Sequence, residues 1–576
     1  MSRIKLFLER CFRILIHPAA LVLATLAGGL FVYGAENQVL SLPFGLAIAA
    51  TLFAAIFIVS ARLAFSVYAA WGVVVLITVV SAIKYRMKGF SLHFYDFVFF
   101  ANDTEVHRFL LSSYLYLILP VIGALLLAIA LAVAFYRSSP RSDWPAHLRT
   151  LPLVIGVVLL PATFPAEAQN ERVFYYLRGR QMSAFFVSLL DIRNLFARSE
   201  LEARLQQVPR QQPFSQAVDC GDTSKLPDIY VVLSETQIDP AIFPQIKDGK
   251  EFAHKYAPLS GALQPMSVET FGGGTWITNL SLMSGLAATD FGWRSPYLTV
   301  LLESHVAGAL PEILAHCGYR TAAQTPMSDS FVNDGPYMRS IGVETVMDID
   351  DIGAPNYHMR DSFYFDKAEE FIARHRKEDG RPLFLEIQTM FPHSPYNERL
   401  EPEITLPDEP FDRDPGVAEY LRRMAIAKGD FEKFLEARQA EGSTRPAIVL
   451  EFGDHQAFVT KDFVDETAGE DALSRPGSLA YRTYYEITSY GYELKKPLPH
   501  YPALDVGFLA PTLLEVAGLP MTPMMADLLA LRDHCEGVFY ACRDRAAVDR
   551  HLRRRVDSGM LRLFPTDEIA TGSVRP

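Results

Sequence analysis

The sequence predicts two architectures in one chain: an N-terminal transmembrane domain of five helices, then an α/β domain with a mostly parallel central sheet. Two observations carry this. Long uncharged apolar runs crowd the first third of the chain, although the 576 residues as a whole carry 21% charged side chains. Beyond residue 220 the pattern changes to short β-branched runs separated by helix-period segments, the signature of strands covered on both faces.

The apolar runs fall at roughly residues 14–33, 44–60, 63–83, 115–135 and 151–166, against ~20 residues for a bilayer-spanning helix. The last contains Pro152, Pro161 and Pro165. No small-residue cleavage site closes the first run, so a cleavable signal peptide fits poorly. Arg3, Lys5, Arg10 and Arg13 precede the first span and favour a cytoplasmic N-terminus. Arg62, Arg137, Arg141 and Arg149 then lie inside. Lys84, Arg86 and Lys88 lie outside, against the rule. Five spans leave the following domain on the outer face. The expected boundaries are 1–166 for the membrane domain, 167–219 for an amphipathic juxtamembrane linker and 220–576 for an extracytoplasmic domain. The aromatic loop of residues 84–109 reads equally as an interfacial or a packed segment, and the linker as resting on the membrane or on the next domain.

The formal net charge of −12 argues against nucleic acid as a partner. An anionic substrate is compatible with it if a metal neutralises charge locally. Of five cysteines, Cys220, Cys317, Cys535 and Cys542 fall in the outer domain, an even number in a compartment that permits disulfides. Three connectivities are open; Cys535 and Cys542 are near enough to close a small loop.

Within the α/β part, residues 229–233, 383–387 and 447–450 read as strands, and 420–438 as a helix with Leu421, Met424, Phe431, Phe434 and Leu435 on one side. Ligands of such sheets bind beyond the carboxyl ends of the strands. The first strand runs into Glu235, the second into the segment holding His393, and the third into Asp454 and His455. Gly272-Gly273-Gly274 then precede Thr275 at the start of an apolar helix, where backbone freedom and unpaired N–H groups suit an anion. Taken singly, each of these residues is as well explained as a cap or a surface group. Together, Glu235, Thr275, Asp454 and His455 supply oxygen and nitrogen donors for one divalent ion. Such an ion lowers the hydroxyl pKa of Thr275 and polarises a phosphoryl group.

The order Leu233-Ser234-Glu235, Gly272-Gly273-Gly274-Thr275, Met390-Phe391-Pro392-His393-Ser394-Pro395-Tyr396 and Phe452-Gly453-Asp454-His455 resembles the lipoteichoic acid synthase family. That group includes phosphoglycerol transferases of periplasmic glucans, within the alkaline phosphatase/sulfatase superfamily. The resemblance implies an alkaline phosphatase/sulfatase-like outer domain anchored in the bacterial cytoplasmic membrane. It implies one metal ion, commonly manganese with magnesium or zinc as alternatives, held by Glu235, Thr275, Asp454 and His455. Thr275 is the implied nucleophile. His393 is implied at the substrate phosphate or leaving group, and Gly274 and Trp276 join it as candidate substrate-binding residues. The implied reaction moves a phosphoglycerol group from a phosphatidylglycerol-like donor to an envelope glycan or glycerol acceptor through a threonine-bound intermediate. A phosphoethanolamine transferase is the alternative, followed by a metal-dependent phosphodiesterase or phosphatase. A sulfatase would need Cys or Ser in a Cys/Ser-x-Pro-x-Arg context at the nucleophile, which is absent here.

The chain departs from the family at one place. Where members often carry Phe-Trp-Asn-Arg-Asp, after a histidine a few residues earlier, it has Phe331-Val332-Asn333-Asp334-Gly335, with Gln324 near the histidine position. A guanidinium that would grip phosphate is gone; Arg339 and Arg360 are the candidate replacements.

Overall fold

The computed structural model describes residues 10–36, 42–88, 91–100, 103–165, 179–190, 199–215, 217–221, 223–246, 263–407, 409, 411–442 and 444–563. The chain forms two compact units, Met1–Arg193 and Asn194–Pro576.

The first unit contains helices α1 (Pro18–Ala35), α2 (Leu42–Ser60), α3 (Leu63–Lys88), α4 (Phe94–Phe100), α5 (Thr104–Ser138), α6 (Ala146–Thr163) and α7 (Met182–Leu190). Four stretches, Pro18–Ala35, Leu42–Ser60, Leu63–Arg86 and Ile118–Ser138, are long and apolar enough to cross a membrane; the apolar stretch of α6, His147–Thr163, is shorter. Even so, α6 packs along α2, with Gly156 against the Thr51 side chain and Cα. Contacts fix the ends of this bundle. At one end Phe12 meets Phe135 with ring centroids 5.2 Å apart, and Phe57 meets Trp144. There too the Ser142 N–H donates to the Ala61 carbonyl at 2.7 Å. At the other end Glu36 accepts from the backbone N–H of Met182 and Ser183, Lys84 pairs with Asp96, and Phe44 meets Phe164. Residues 12 and 180 therefore lie at opposite ends of the bundle. Helix α4 is a packed element, with Tyr95 buried and Phe94 and Phe97 both against Phe185 of α7.

The second unit opens with α8 (Glu200–Gln206), capped by a reciprocal Ser199–Glu202 box. Leu201 and Leu205 are buried, and Arg204 pairs with Asp290 and Asp549. This part of the expected linker packs on the domain that follows it. Residues 167–178, 191–198 and 216 of that linker lie outside the described residues.

Next come β1 (Asp228–Ser234), β2 (Gln264–Ser267), α9 (Thr275–Ser284), β3 (Arg320–Gln324), α10 (Asp334–Ser340), β4 (Thr345–Met347), α11 (Asp361–Glu378), β5 (Leu383–Gln388), α12 (Pro415–Glu441), β6 (Ala447–Gly453), β7 (Arg482–Tyr490) and β8 (Leu504–Asp505). The eight strands form one sheet in the order β4-β3-β5-β1-β6-β7-β2-β8. From β4 to β6 the pairing is parallel; β7 runs antiparallel to both β6 and β2. The three strands expected from sequence are adjacent at its centre, with Ile229 paired to Phe384 on one side and Ile448 on the other. On one face Tyr230, Val232, Leu385, Ile387 and Val449 pack with Phe365 and Ile372 of α11 and Phe431 and Phe434 of α12. All seven residues of β1 and of β6 are buried, which is why they are apolar runs without alternation.

Directly beneath the carboxyl rim, the central strands share one buried charge pair. Glu451 of β6 accepts from Lys428 Nζ of α12 at 2.6 and 2.7 Å, from Ser234 Oγ at 2.6 Å and from Tyr484 Oη at 2.8 Å. Every lone pair that matters is met, so the ion pair is tolerated. Lys428→Met leaves Glu451 buried with no cation and is expected to cost about 3–5 kcal/mol, read as a lower midpoint in chemical denaturation. An unchanged midpoint would show that the pair contributes nothing to the rim.

Candidate active site

Four expected residues converge at the carboxyl end of β1 and β6. Glu235 follows β1, Asp454 and His455 follow β6, and Thr275 opens α9. Suitable ligand atoms of Glu235, Asp454 and His455 lie within 4.8 Å of one another, and all three residues are buried. The Thr275 hydroxyl donates to Glu235 Oε2 at 3.1 Å and lies 3.5 Å from His455 Nε2. His455 Nε2 is 3.3 Å from Asp454 Oδ2 and 3.7 Å from Glu235 Oε1.

Local sequence explains how these groups meet. Gly453 ends β6 where any Cβ would lie 2.0 Å from the Gln237 carbonyl oxygen. Only glycine lets the two chain segments approach so closely. Asp454 Oδ1 then accepts from the Thr236 and His455 N–H groups at 2.7 and 2.9 Å, which fixes the carboxylate. Thr236 itself stands at φ 57°, held by a 2.7 Å hydrogen bond from Tyr420 Oη to its carbonyl. Gly272, Gly273 and Gly274 have φ of 75°, 152° and 98°. This left-handed run wraps the loop around to the start of α9, a course closed to L side chains. The Gly272 N–H donates to the Gln456 carbonyl at 2.9 Å, and Thr278 Oγ1 donates to the Asp454 carbonyl at 2.8 Å. The loop and α9 are thus tied to the same chain segment that supplies Asp454 and His455.

The donor set fits a divalent cation. Asp454 Oδ2 is buried and has no hydrogen-bond partner among the described residues. His455 Nδ1 is 3.0 Å from the Gln456 carbonyl, so Nδ1 carries the proton and Nε2 presents its lone pair to the carboxylates. Burial raises the Asp454 carboxyl to about 6, against the lowering effect of the Thr236 and His455 N–H groups. Two carboxylates and an imidazole confined without a cation are the setting a metal ion relieves.

His393 lies five residues beyond β5. Its Nδ1 meets the Ser394 carbonyl at 2.5 Å, and its own carbonyl accepts from Arg423 at 2.9 Å. Asp361 Oδ1 supports the same loop by accepting from the Met390 and Phe391 N–H groups. Burial raises Asp361 to about 7. The rings of Tyr357 and His358 lie 6.3 Å from that of His393. Sequence reading missed His358, which burial and then Arg423 lower to about 4; a lone loop histidine carries no spacing signal. Trp276 donates its indole N–H to the Pro296 carbonyl at 3.0 Å and meets Phe331 edge-on at 6.3 Å. Gly274 is the N-cap of α9. Both candidate arginines are paired with carboxylates: Arg360 forms a bidentate pair with Asp430 at 2.7 Å, and Arg339 pairs with Asp329 at 2.6 Å.

Residues 280–486, which take in His393, Asp454 and His455, match the Sulfatase family model. The match covers 207 of the 576 residues, so this part of the chain is sulfatase-like. An uncharacterised protein of Haemophilus influenzae is 23% identical over 247 residues, 40% of this chain and 44% of that protein. The sulfatase-like chain is similar to the solved Streptococcus pyogenes phosphoglycerol transferase GacH in complex with sn-glycerol-1-phosphate. That likeness has 17% identity and a TM-score of 0.44, over 64% of this chain and 90% of that one. It is also similar to the Listeria monocytogenes lipoteichoic acid synthase LtaP (14%, TM-score 0.39, 57% and 78%). A third similarity is to the integral membrane lipooligosaccharide phosphoethanolamine transferase A of Neisseria meningitidis (13%, TM-score 0.47, 83% and 94%). With four membrane-length helices ahead of it and disulfides Cys220–Cys317 and Cys535–Cys542 within it, the sulfatase-like domain is the extracytoplasmic part of a membrane-integral protein.

Proposed function

We propose that the chain is a metal-dependent phosphotransferase that moves a phosphorylated headgroup from a membrane phospholipid to an envelope acceptor hydroxyl through Thr275. The observation that carries this is the Thr275 hydroxyl, part-exposed at a helix N-terminus and hydrogen-bonded to Glu235 within the Glu235–Asp454–His455 cluster. A buried donor cluster of this kind serves no structural purpose that a salt bridge would not serve better.

Glu235, Asp454, His455 and Thr275 would hold the cation, manganese, magnesium or zinc. When bound, it supplies positive charge that stabilises an ionised threonine and a phosphoryl oxygen. The chain's own groups do the rest. Thr275 Oγ1 forms the new P–O bond and its proton passes towards Glu235 Oε2. The bond from phosphorus to the diacylglycerol oxygen breaks, and protonated His393 gives that oxygen its proton from Nε2, since Nδ1 is engaged by Ser394. In the second half an acceptor hydroxyl loses its proton to His393 and attacks the same phosphorus, and Thr275 leaves with its proton restored. The N-terminal N–H groups of α9 face the phosphate throughout.

The motifs' resemblance favours phosphoglycerol as the group moved, from a phosphatidylglycerol-like donor to a glycan or glycerol. A specific observation favours phosphoethanolamine as the second reading: Asp334 stands where the phosphate-gripping arginine is expected, and Arg339 and Arg360 are both paired with carboxylates. The test incubates the full chain in detergent with manganese and phosphatidylglycerol or phosphatidylethanolamine, then measures peptide masses around Thr275. A glycerol phosphate or ethanolamine phosphate adduct supports transfer. Lipid hydrolysis at full rate with no adduct on Thr275 would instead assign a phosphodiesterase.

A further inference from the structure

Behind Thr275 lies a second polar group that the proposed chemistry does not use. Glu386 and Gln388 alternate on β5 and so project from one face of the sheet. The Gln388 amide donates to Glu386 Oε1 at 3.0 Å and also to the Asp334 carboxylate at the start of α10. Asn279, one turn of α9 (~5.4 Å) beyond Thr275, lies beside Glu386, with its Nδ2 on the Met338 sulfur at 3.8 Å. Two carboxyls and two amides thus close around one point under the helix that begins with the nucleophile.

This cluster has acceptors in excess. Glu386 Oε2 and Asn279 Oδ1 are buried without a hydrogen-bond partner, in residues 0% and 1% exposed, and neither Asp334 nor Glu386 pairs with a lysine or arginine among the described residues. Each such atom costs about 1–3 kcal/mol unless met by a donor. Burial raises Glu386 to about 8, with the Asp334 charge acting the same way, and raises Asp334 to about 7. A multi-donor cation would displace those protons and meet both orphaned acceptors. A divalent metal is the poorer fit, because Glu235, Asp454 and His455 form the one group of three or more His, Cys, Asp or Glu ligands among the described residues.

Asn279 joins this cluster to α9, the helix that begins with Thr275. Asp334 is only partly buried, and it follows Phe331, whose ring meets that of Trp276 next to Thr275. Val332 and Asn333 both take positive φ, 49° and 61°. A β-branched residue is strained there by roughly 1–2 kcal/mol. Thr299 holds the turn by donating to the Val332 carbonyl at 2.5 Å, and Asn333 returns a hydrogen bond to the Thr299 carbonyl at 3.1 Å. Asp334 is therefore fixed over the recess.

We propose that the recess of Asp334, Glu386, Gln388 and Asn279 receives a primary ammonium on the donor headgroup, making Asp334 the residue that selects phosphoethanolamine over phosphoglycerol. This rests on the reading that Thr275 takes up a phospholipid headgroup, and of the two donors weighed above it takes the second, phosphoethanolamine, over the phosphoglycerol that the motifs alone favour. An ammonium offers three donors and a charge to a site lacking both. Glycerol offers hydroxyls alone.

The test uses the full chain in detergent with manganese and an equal mixture of phosphatidylethanolamine and phosphatidylglycerol. The wild type is expected to carry mostly ethanolamine phosphate on Thr275. D334N is expected to lower the ratio of ethanolamine to glycerol adduct about tenfold or more, the size of one charge-assisted hydrogen bond, and D334E to restore most of it. A ratio unchanged in D334N overturns the proposal. A second measurement is independent of turnover: titration of O-phosphoethanolamine and glycerol phosphate into T275A, with and without D334N. Preferential loss of O-phosphoethanolamine binding supports the recess even if no adduct forms in the wild type, in which case only the transfer reading fails. Equal loss of both ligands assigns Asp334 a structural role and overturns the proposal.

Discussion

Thr275→Ala abolishes headgroup release, lowering it by roughly 10⁴-fold or more, while the domain stays folded. The magnitude follows from the role proposed for the side chain: if it forms the bond to phosphorus, its loss removes the reaction path rather than weakening a contact. The structural cost is small. Thr275 is partly exposed, and its hydroxyl interacts within the site, with Glu235, Asp454 and, at longer range, His455. The backbone needs for glycine lie at residues 272–274, before it. Thr275→Ser, which keeps a hydroxyl, should retain measurable turnover. Release of diacylglycerol from labelled lipid separates the cases, and near-wild-type release by the alanine variant would remove Thr275 from the chemistry.

Asp454→Asn strips the metal. Asparagine keeps the volume and can still accept from the Thr236 and His455 N–H groups, so the rim should hold its shape. What disappears is the charge on Oδ2, the buried oxygen that faces His455 Nε2 at 3.3 Å. Metal content by elemental analysis is expected to fall from about one ion per chain to under a tenth of that. Metal added at ~100 times its dissociation constant stabilises the wild type by about 2.7 kcal/mol, and the variant should show none of this. pH supplies a further check. Burial holds the folded-state carboxyl at about 6, above its ordinary value of 3.8. A raised acid pKa contributes stability that is present at low pH and lost as pH rises through about 4 to 6. Metal-free wild type should therefore gain stability relative to Asp454→Asn on going from pH 7 to 5, whereas metal affinity should fall over the same interval as protons compete. Full metal occupancy in the variant would contradict the assignment.

How far the sequence disclosed these sites depended on how local the signal was. Glu235, Asp454 and His455 follow strands whose seven residues are all buried, and such apolar runs stand out without an alignment. Thr275 was marked by three glycines read for their backbone freedom, and in the structure all three take positive φ. The short strands were not legible: β4, β2 and β8 have three, four and two residues, too few for any period to register. β7 escaped for another reason, since Arg482–Tyr490 mixes charged, aromatic and β-branched residues along a strand that turns polar towards its end. The Asp334–Gln388–Glu386–Asn279 group was invisible because it is assembled across β5, α9 and α10, and because Glu386 inside an apolar strand looks like an outward-facing charge. The cysteine pairing was open from spacing and is decided by the fold, which brings residues 97 apart to a Cα separation of 5.2 Å.

That bond encircles the stretch of chain holding both Glu235 and Thr275. In the chain-entropy picture, closing a loop of this length removes about 4–5 kcal/mol of freedom from the unfolded domain, a large share of the stability of an ordinary domain. While the segment is still in a reducing cytosol, the clasp is open and the half-site built from Glu235 and Thr275 lacks that support. Assembly of the Glu235–Thr275 half-site is thereby postponed until the polypeptide has reached the side of the membrane where disulfides form.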